Sequence, residues 1–139
     1  MKTRIRTLSL NHCNIGDDGG VTLAEAVSNS ISMRDLYAQH CSFGDATARS
    51  FANCIEENAS IERLDISNNN INDAGGELLA IAIIRNENLT YLNLKKNNLR
   101  ATSGAMFAKS MIENKTLKCL KLESNYINIS FMEDVAKLI

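Results

Sequence analysis

Apolar residues open five segments of this chain on the same beat. Ile5, Leu8 and Leu10 are followed 28 residues later by Met33, Leu36 and Ala38, then by Ile61, Leu64 and Ile66, Leu89, Leu92 and Leu94, and Leu117, Leu120 and Leu122, with no gap between units. Polar residues separate them, the alternation of a short strand with one buried face. The second half of each unit has the 3.6-residue period of a helix: Gly20, Leu23, Ala24 and Val27 recur as Ala48/Phe51/Ala52/Ile55, Gly76/Leu79/Ala80/Ile83, Gly104/Phe107/Ala108/Met111 and Met132/Val135/Ala136/Ile139. The alanine in this pattern is unbroken and lets the helix lie close to the strand layer. Strand, turn, helix and return on a fixed period predict a solenoid, each unit buried only by its neighbours.

Polar columns punctuate the units. Three residues beyond the strand pattern stand Cys13, Cys41, Asn69, Asn97 and Asn125, which point inward, where an asparagine amide can satisfy the bending backbone. Asp17, Asp45 and Asp73 read as caps of the first three helices, and Ser130 with Glu133 as a capping box for the last. Asn58, Asn86 and Asn114 end the middle helices, where a left-handed residue is tolerated. The reading is therefore an α/β fold: one domain over residues 1–139, five units with strand starts near 5, 33, 61, 89 and 117. Parallel strands joined by helical crossovers must wind right-handed, strands on the concave side and helices on the convex side.

The unit resembles the ribonuclease-inhibitor type of leucine-rich repeat, best in Leu64, Ile66, Asn69, Ile71, Gly75, Leu79, Ala80 and Asn86. The resemblance covers essentially the whole chain and implies that solenoid fold. Proteins with such repeats include ribonuclease inhibitor, the sensor arms of NOD-like receptors, the Ran GTPase-activating protein, tropomodulins and axonemal proteins; most bind another protein on the concave face or its rim. Leu120 to Ile127 reads like a tropomodulin repeat, a short match inside the shared consensus. The resemblance thus implies a non-catalytic protein-interaction module or scaffold. The alternatives are a regulator of a small GTPase, for which no motif residue can be carried over, and a structural element of a cytoskeletal or axonemal assembly.

Strand residues not used in packing point into the concave side and are free to meet a partner. Among them Tyr37, Arg63 and Tyr91 are the expected anchors, since aromatic and arginine side chains dominate interface energetics. Asp65, Lys95, Lys96 and Lys121 complete the candidate partner-binding set. Four lysines against one glutamate make the last two units locally basic, so the partner is expected to be a protein with an acidic or mixed-charge surface. Overall, 15 basic and 16 acidic residues give a net charge of −1, which offers no general attraction to nucleic acid or anionic lipid. No apolar run is long enough to span a membrane, and the reading is cytoplasmic.

Four cysteines, Cys13, Cys41, Cys54 and Cys119, occupy different roles of the repeat, and reduced thiols are expected. His12-Cys13 and His40-Cys41 place four zinc-type ligands on adjacent units. Successive residues face opposite ways, however, cysteines in and histidines out, so the four cannot meet around one tetrahedral ion. No metal, cofactor or catalytic residue is assigned: no phosphate loop, nucleophile–base pair or enclosed carboxylate pair can be placed. Both end units leave apolar positions such as Ile139 without a cap. The favoured explanation is a fragment of a longer array or a family member lacking terminal caps, with end-to-end self-association next.

Overall fold

The computed structural model describes residues 4–57, 60–128, 133 and 135–137. Its elements alternate without exception: β1 (Thr7–Ser9), α1 (Gly16–Ser28), β2 (Asp35–Tyr37), α2 (Asp45–Glu57), β3 (Arg63–Asp65), α3 (Asp73–Arg85), β4 (Tyr91–Asn93), α4 (Ala101–Glu113) and β5 (Cys119–Lys121). The strands form one open five-stranded parallel sheet in chain order. Every pair is in the register of the repeat, Leu8 opposite Leu36, then Leu64, Leu92 and Leu120. This is the α/β solenoid expected from the period.

The core is a set of columns running through the rungs. Leu36, Leu64 and Leu92 are buried beside Ala38, Ile66 and Leu94, and the helices contribute Phe51, Leu79 and Phe107. The alanine column is buried at Ala24, Ala52, Ala80 and Ala108 and exposed at Ala136 in the last unit. Its neighbours are equally size-limited: a methyl on Gly75 would lie 2.7 Å from Cβ of Ala48, and one on Gly76 would lie 2.6 Å from Cδ2 of Leu99. Adjacent helices therefore pack at a separation that only hydrogen permits at these points.

Each rung turns inside the molecule, and the buried asparagines satisfy the turn of the rung before them. Oδ1 of Asn69 accepts from the N–H groups of Cys41 and Phe43, both at 3.0 Å, while its Nδ2 donates to the carbonyls of Ala38, Ile66 and Ser67. Asn97 and Asn125 repeat the arrangement one and two rungs on. Cys41 fills the same place with a thiol, which lies 3.1 Å from the Leu10 carbonyl, the counterpart of the bond from Asn69 to Ala38, and receives the backbone N–H of Cys13. Cys13, expected to point inward, is exposed, because its strand is the edge of the sheet and no rung lies beyond it among the described residues.

The aspartates do a different job from the one expected. No side chain at the preceding residue caps α1, α3 or α4. Instead each aspartate caps the helix of the following rung. Oδ1 of Asp17 accepts from the N–H groups of Gly44 at 2.8 Å and Thr47 at 3.1 Å, at the start of α2. Asp45 holds Asn72 and Gly75 in the same way, and Asp73 holds Arg100 and Ser103. A carboxylate over a helix N-terminus meets unpaired donors and the positive end of the helix dipole, whichever rung supplies it.

The asparagines that close the helices do so without the left-handed backbone that is tolerated there. Asn86 and Asn114 have φ of −71° and −73°, extended rather than left-handed. Their side chains do the closing: Oδ1 of Asn86 accepts from the N–H groups of Asn88 and Leu89, and Nδ2 donates to the Ile55 carbonyl of the rung before. Asn58, Ser130, Met132 and Ile139 lie outside the described residues.

Two predictions follow from these ladders. Asn69→Ala strands two buried N–H groups and is expected to lower stability by about 3 kcal/mol, read as a lower urea midpoint. The second concerns acid. Burial alone would raise the carboxyls of Asp17 and Asp73. The hydrogen bonds from the Thr47 or Ser103 hydroxyl and the helix N–H groups outweigh it, and both stand below the ordinary 3.8. A group depressed in the fold stabilises it above the unfolded value, and that contribution is lost as pH falls through the folded value. Stability should therefore fall steeply below about pH 4, and an Asp17→Asn/Asp73→Asn variant should show a shallower decline over the same range.

Candidate functional site

The strands present one row of side chains across the concave face, held at the repeat spacing. Tyr37, Arg63, Tyr91 and Lys121 form a connected chain in it. Nε of Arg63 donates to the Tyr37 hydroxyl at 3.3 Å. Its guanidinium carbon lies 4.2 Å from the centroid of Tyr91, and the Lys121 ammonium approaches the same ring at 5.8 Å. A cation over an aromatic face within about 6 Å is held by the ring quadrupole. The Tyr37 bond is also the main reason the Arg63 pKa is raised above its ordinary value. All four residues are half-buried, with Lys95 in the same state and Lys96 exposed.

Asp65 lies apart from this set. It is 4% exposed and accepts from Gln39, Asn93 and both the N–H and hydroxyl of Ser67. The neighbouring strands fold Gln39 and Asn93 over it, so this carboxylate braces the floor beneath the row instead of reaching outward. Neither supporting residue stands out in the sequence, where they read as ordinary outward polar positions.

The face is electrically lopsided. Its positions carry Arg6, Arg34, Arg63, Lys95, Lys118 and Lys121 against Asp35, Glu62, Asp65 and Glu123, a surplus of two positive charges in a chain of net charge −1, and Lys96 adds a further one at the rim. Among the described residues the one ion pair is Arg34 with Glu62 at 3.3 Å. The cations of the third to fifth rungs thus have no carboxylate partner among the described residues.

The two histidines occupy a turn column in which His12, His40, Asn68, Lys96 and Ser124 all have φ between 52° and 63°. This left-handed backbone, uncommon outside glycine, throws each side chain off the rim in one direction. The rings of His12 and His40 stack with centroids 4.6 Å apart and 14° between planes. Cys41, by contrast, is buried, so its thiol does not join the two rings at the rim. No three His, Cys, Asp or Glu side chains converge on a metal position among the described residues.

All four thiols are free. Burial pushes the thiol of Cys41 up, and burial with the nearby charge of Glu57 pushes Cys54 up to about 12. Cys119 is half-buried on the concave side, opposite Tyr91 in register.

A curved stack with parallel strands on the concave face and helices on the convex face, one of each per 28-residue unit, is a leucine-rich-repeat solenoid. The leucine-rich repeat model matches residues 3–24, 57–80 and 85–108, half of the chain, and the chain belongs to that family. Actin-binding site 2 of leiomodin-1 superposes with a TM-score of 0.83 at 20% identity, covering 95% of this chain and 77% of that one. The C-terminal domain of tropomodulin from Caenorhabditis elegans does so with a TM-score of 0.83 at 15% identity, covering 97% of this chain and 82% of that one. At these identities the likeness is one of fold. No curated protein matches the sequence significantly. No helix among the described residues is long and apolar enough to cross a membrane.

Accessibility and acidity together predict the thiol chemistry. Under native conditions at neutral pH, iodoacetamide should alkylate Cys13 and Cys119 and leave Cys41 and Cys54 intact, as peptide mass spectrometry would show.

Proposed function

We propose that this chain is a non-catalytic interaction module that seats an acidic segment of a partner protein on its concave face, with Tyr37, Arg63 and Tyr91 as anchors. The observation that carries this reading is the fixed arginine. Tied at Nε by Tyr37 and laid over Tyr91, Arg63 presents its terminal nitrogens in a set direction, and a planar guanidinium held this way is prepared for bidentate contact with a carboxylate. Lys95, Lys96 and Lys121 add attraction around that anchor, most of it as steering and specificity. Asp65 acts beneath the contact surface, through the floor it braces.

The leiomodin-1 domain of the same fold is named for binding actin, which makes actin the first protein partner to try. The reading as a GTPase regulator rests on the fold alone.

The test is selection from a peptide display library on the wild type beside a Tyr37→Ala/Arg63→Ala/Tyr91→Ala variant. The wild type is expected to enrich acidic sequences, and the variant to bind them about 30-fold or more weakly, roughly 2 kcal/mol for the loss of central anchors. Equal affinity in both, or enrichment of neutral or basic sequences, would defeat the proposal.

A further inference from the structure

The histidine pair at the rim carries a site of its own, independent of the concave-face reading. The chain holds two histidines in 139 residues, and the fold stacks them on each other. They are equivalent residues of consecutive rungs, each at positive φ, 63° for His12 and 52° for His40. The N–H of His12 donates to the Gln39 carbonyl at 2.8 Å, which locks the two turns in step. Both residues are exposed. We propose that His12 and His40 form a surface site for one divalent transition-metal ion, bound through a nitrogen of each imidazole.

Near-parallel stacked rings direct corresponding nitrogens the same way, one strand spacing apart. An ion bound to two imidazoles at about 2.0–2.1 Å in tetrahedral geometry needs those nitrogens about 3.3 Å apart. The rings stand 4.6 Å apart at their centroids and 14° from parallel; because each metal bond lies in the plane of its ring, closing the site turns the rings out of the stack, to roughly 70° between planes for a tetrahedral ion. Exposed side chains can make that rotation without disturbing the core. The donors also select the metal: two imidazoles and no carboxylate suit nickel, copper or zinc and offer nothing to calcium or magnesium. Two protein ligands leave coordination positions for water. The buried thiol of Cys41 takes no part, and the ion needs neither cysteine.

Nickel is the probe, since it favours imidazole and does not oxidise the exposed Cys13. Untagged protein is titrated with Ni2+ while the imidazole proton resonances are followed by NMR and the heat by calorimetry. With two histidines in the chain, those resonances are two sets. Both sets are expected to broaden together on a single isotherm saturating at one ion per chain. His12→Asn and His40→Asn are each expected to weaken binding at least tenfold; asparagine stands in the same left-handed column at Asn68, so both variants keep the turn. Cys13→Ser should leave the affinity unchanged. The proposal is overturned if the two resonance sets respond with different midpoints, if either histidine variant binds as tightly as the wild type, if Mg2+ gives the same response, or if Cys13→Ser removes binding.

Discussion

Each rung bends its backbone inside the stack, and the groups stranded at the bends are satisfied by side chains of adjacent rungs. The exchange runs both ways. An asparagine of one rung answers the turn of the rung before it, as Asn69 does for Cys41 and Phe43. An aspartate of one rung caps the helix of the rung after it, as Asp45 does for Asn72 and Gly75. Neither bond can form within a single unit, so a unit folds only against its neighbour, which is the energetic content of a one-dimensional stack. The reciprocal bonds also fix the rung spacing, and with it the distances between side chains on the concave face. The contact of Arg63 with Tyr91 depends on that spacing.

The period in the sequence was enough to place all five strands in register and to mark the buried columns, because both depend on apolar spacing alone. The polar columns were harder to read. Asp73 precedes a helix and looks like its cap; nothing within one repeat distinguishes that from capping a helix 27 to 30 residues further on. Asn86 and Asn114 sit where left-handed closure is common, but their side chains catch the following N–H groups and leave the backbone extended. Asp65 occupies an outward strand position, and only the packing of Gln39 and Asn93 across it removes it from the surface. The stacking of His12 on His40 follows from register, but it also needs the left-handed turn that sends both rings the same way.

The asparagine column changes character along the chain, and the two faces of interest fall on either side of the change. From Asn69 onward an amide both donates and accepts. At Cys41 a thiol takes the place of the amide, donating to the Leu10 carbonyl and receiving the backbone N–H of Cys13, while the Cys13 carbonyl accepts from the N–H of Ile15. The aromatic and basic row begins at Tyr37 and is densest over the third to fifth rungs, where the ladder is complete. The histidine pair stands on the rungs where cysteine takes that column, and both of its residues are exposed at the rim.

Charge follows the same economy of side chains. The carboxylates of Asp17, Asp45 and Asp73 are turned to helix N-termini and that of Asp65 to the strand floor, so four of the 16 acidic residues serve the scaffold. Cations serve the scaffold at fewer points, Lys115 donating to the Ile112 carbonyl and Arg34 to those of Ile31 and Met33, while Arg63 is held by tyrosines rather than by an acid. A chain close to neutral as a whole thus presents a positive concave face, because the hydrogen bonds that hold the rungs together are taken largely by acids and amides. The stacking interactions and the surface potential have a common origin, and the polarity of the face is set by which side chains the stack consumes.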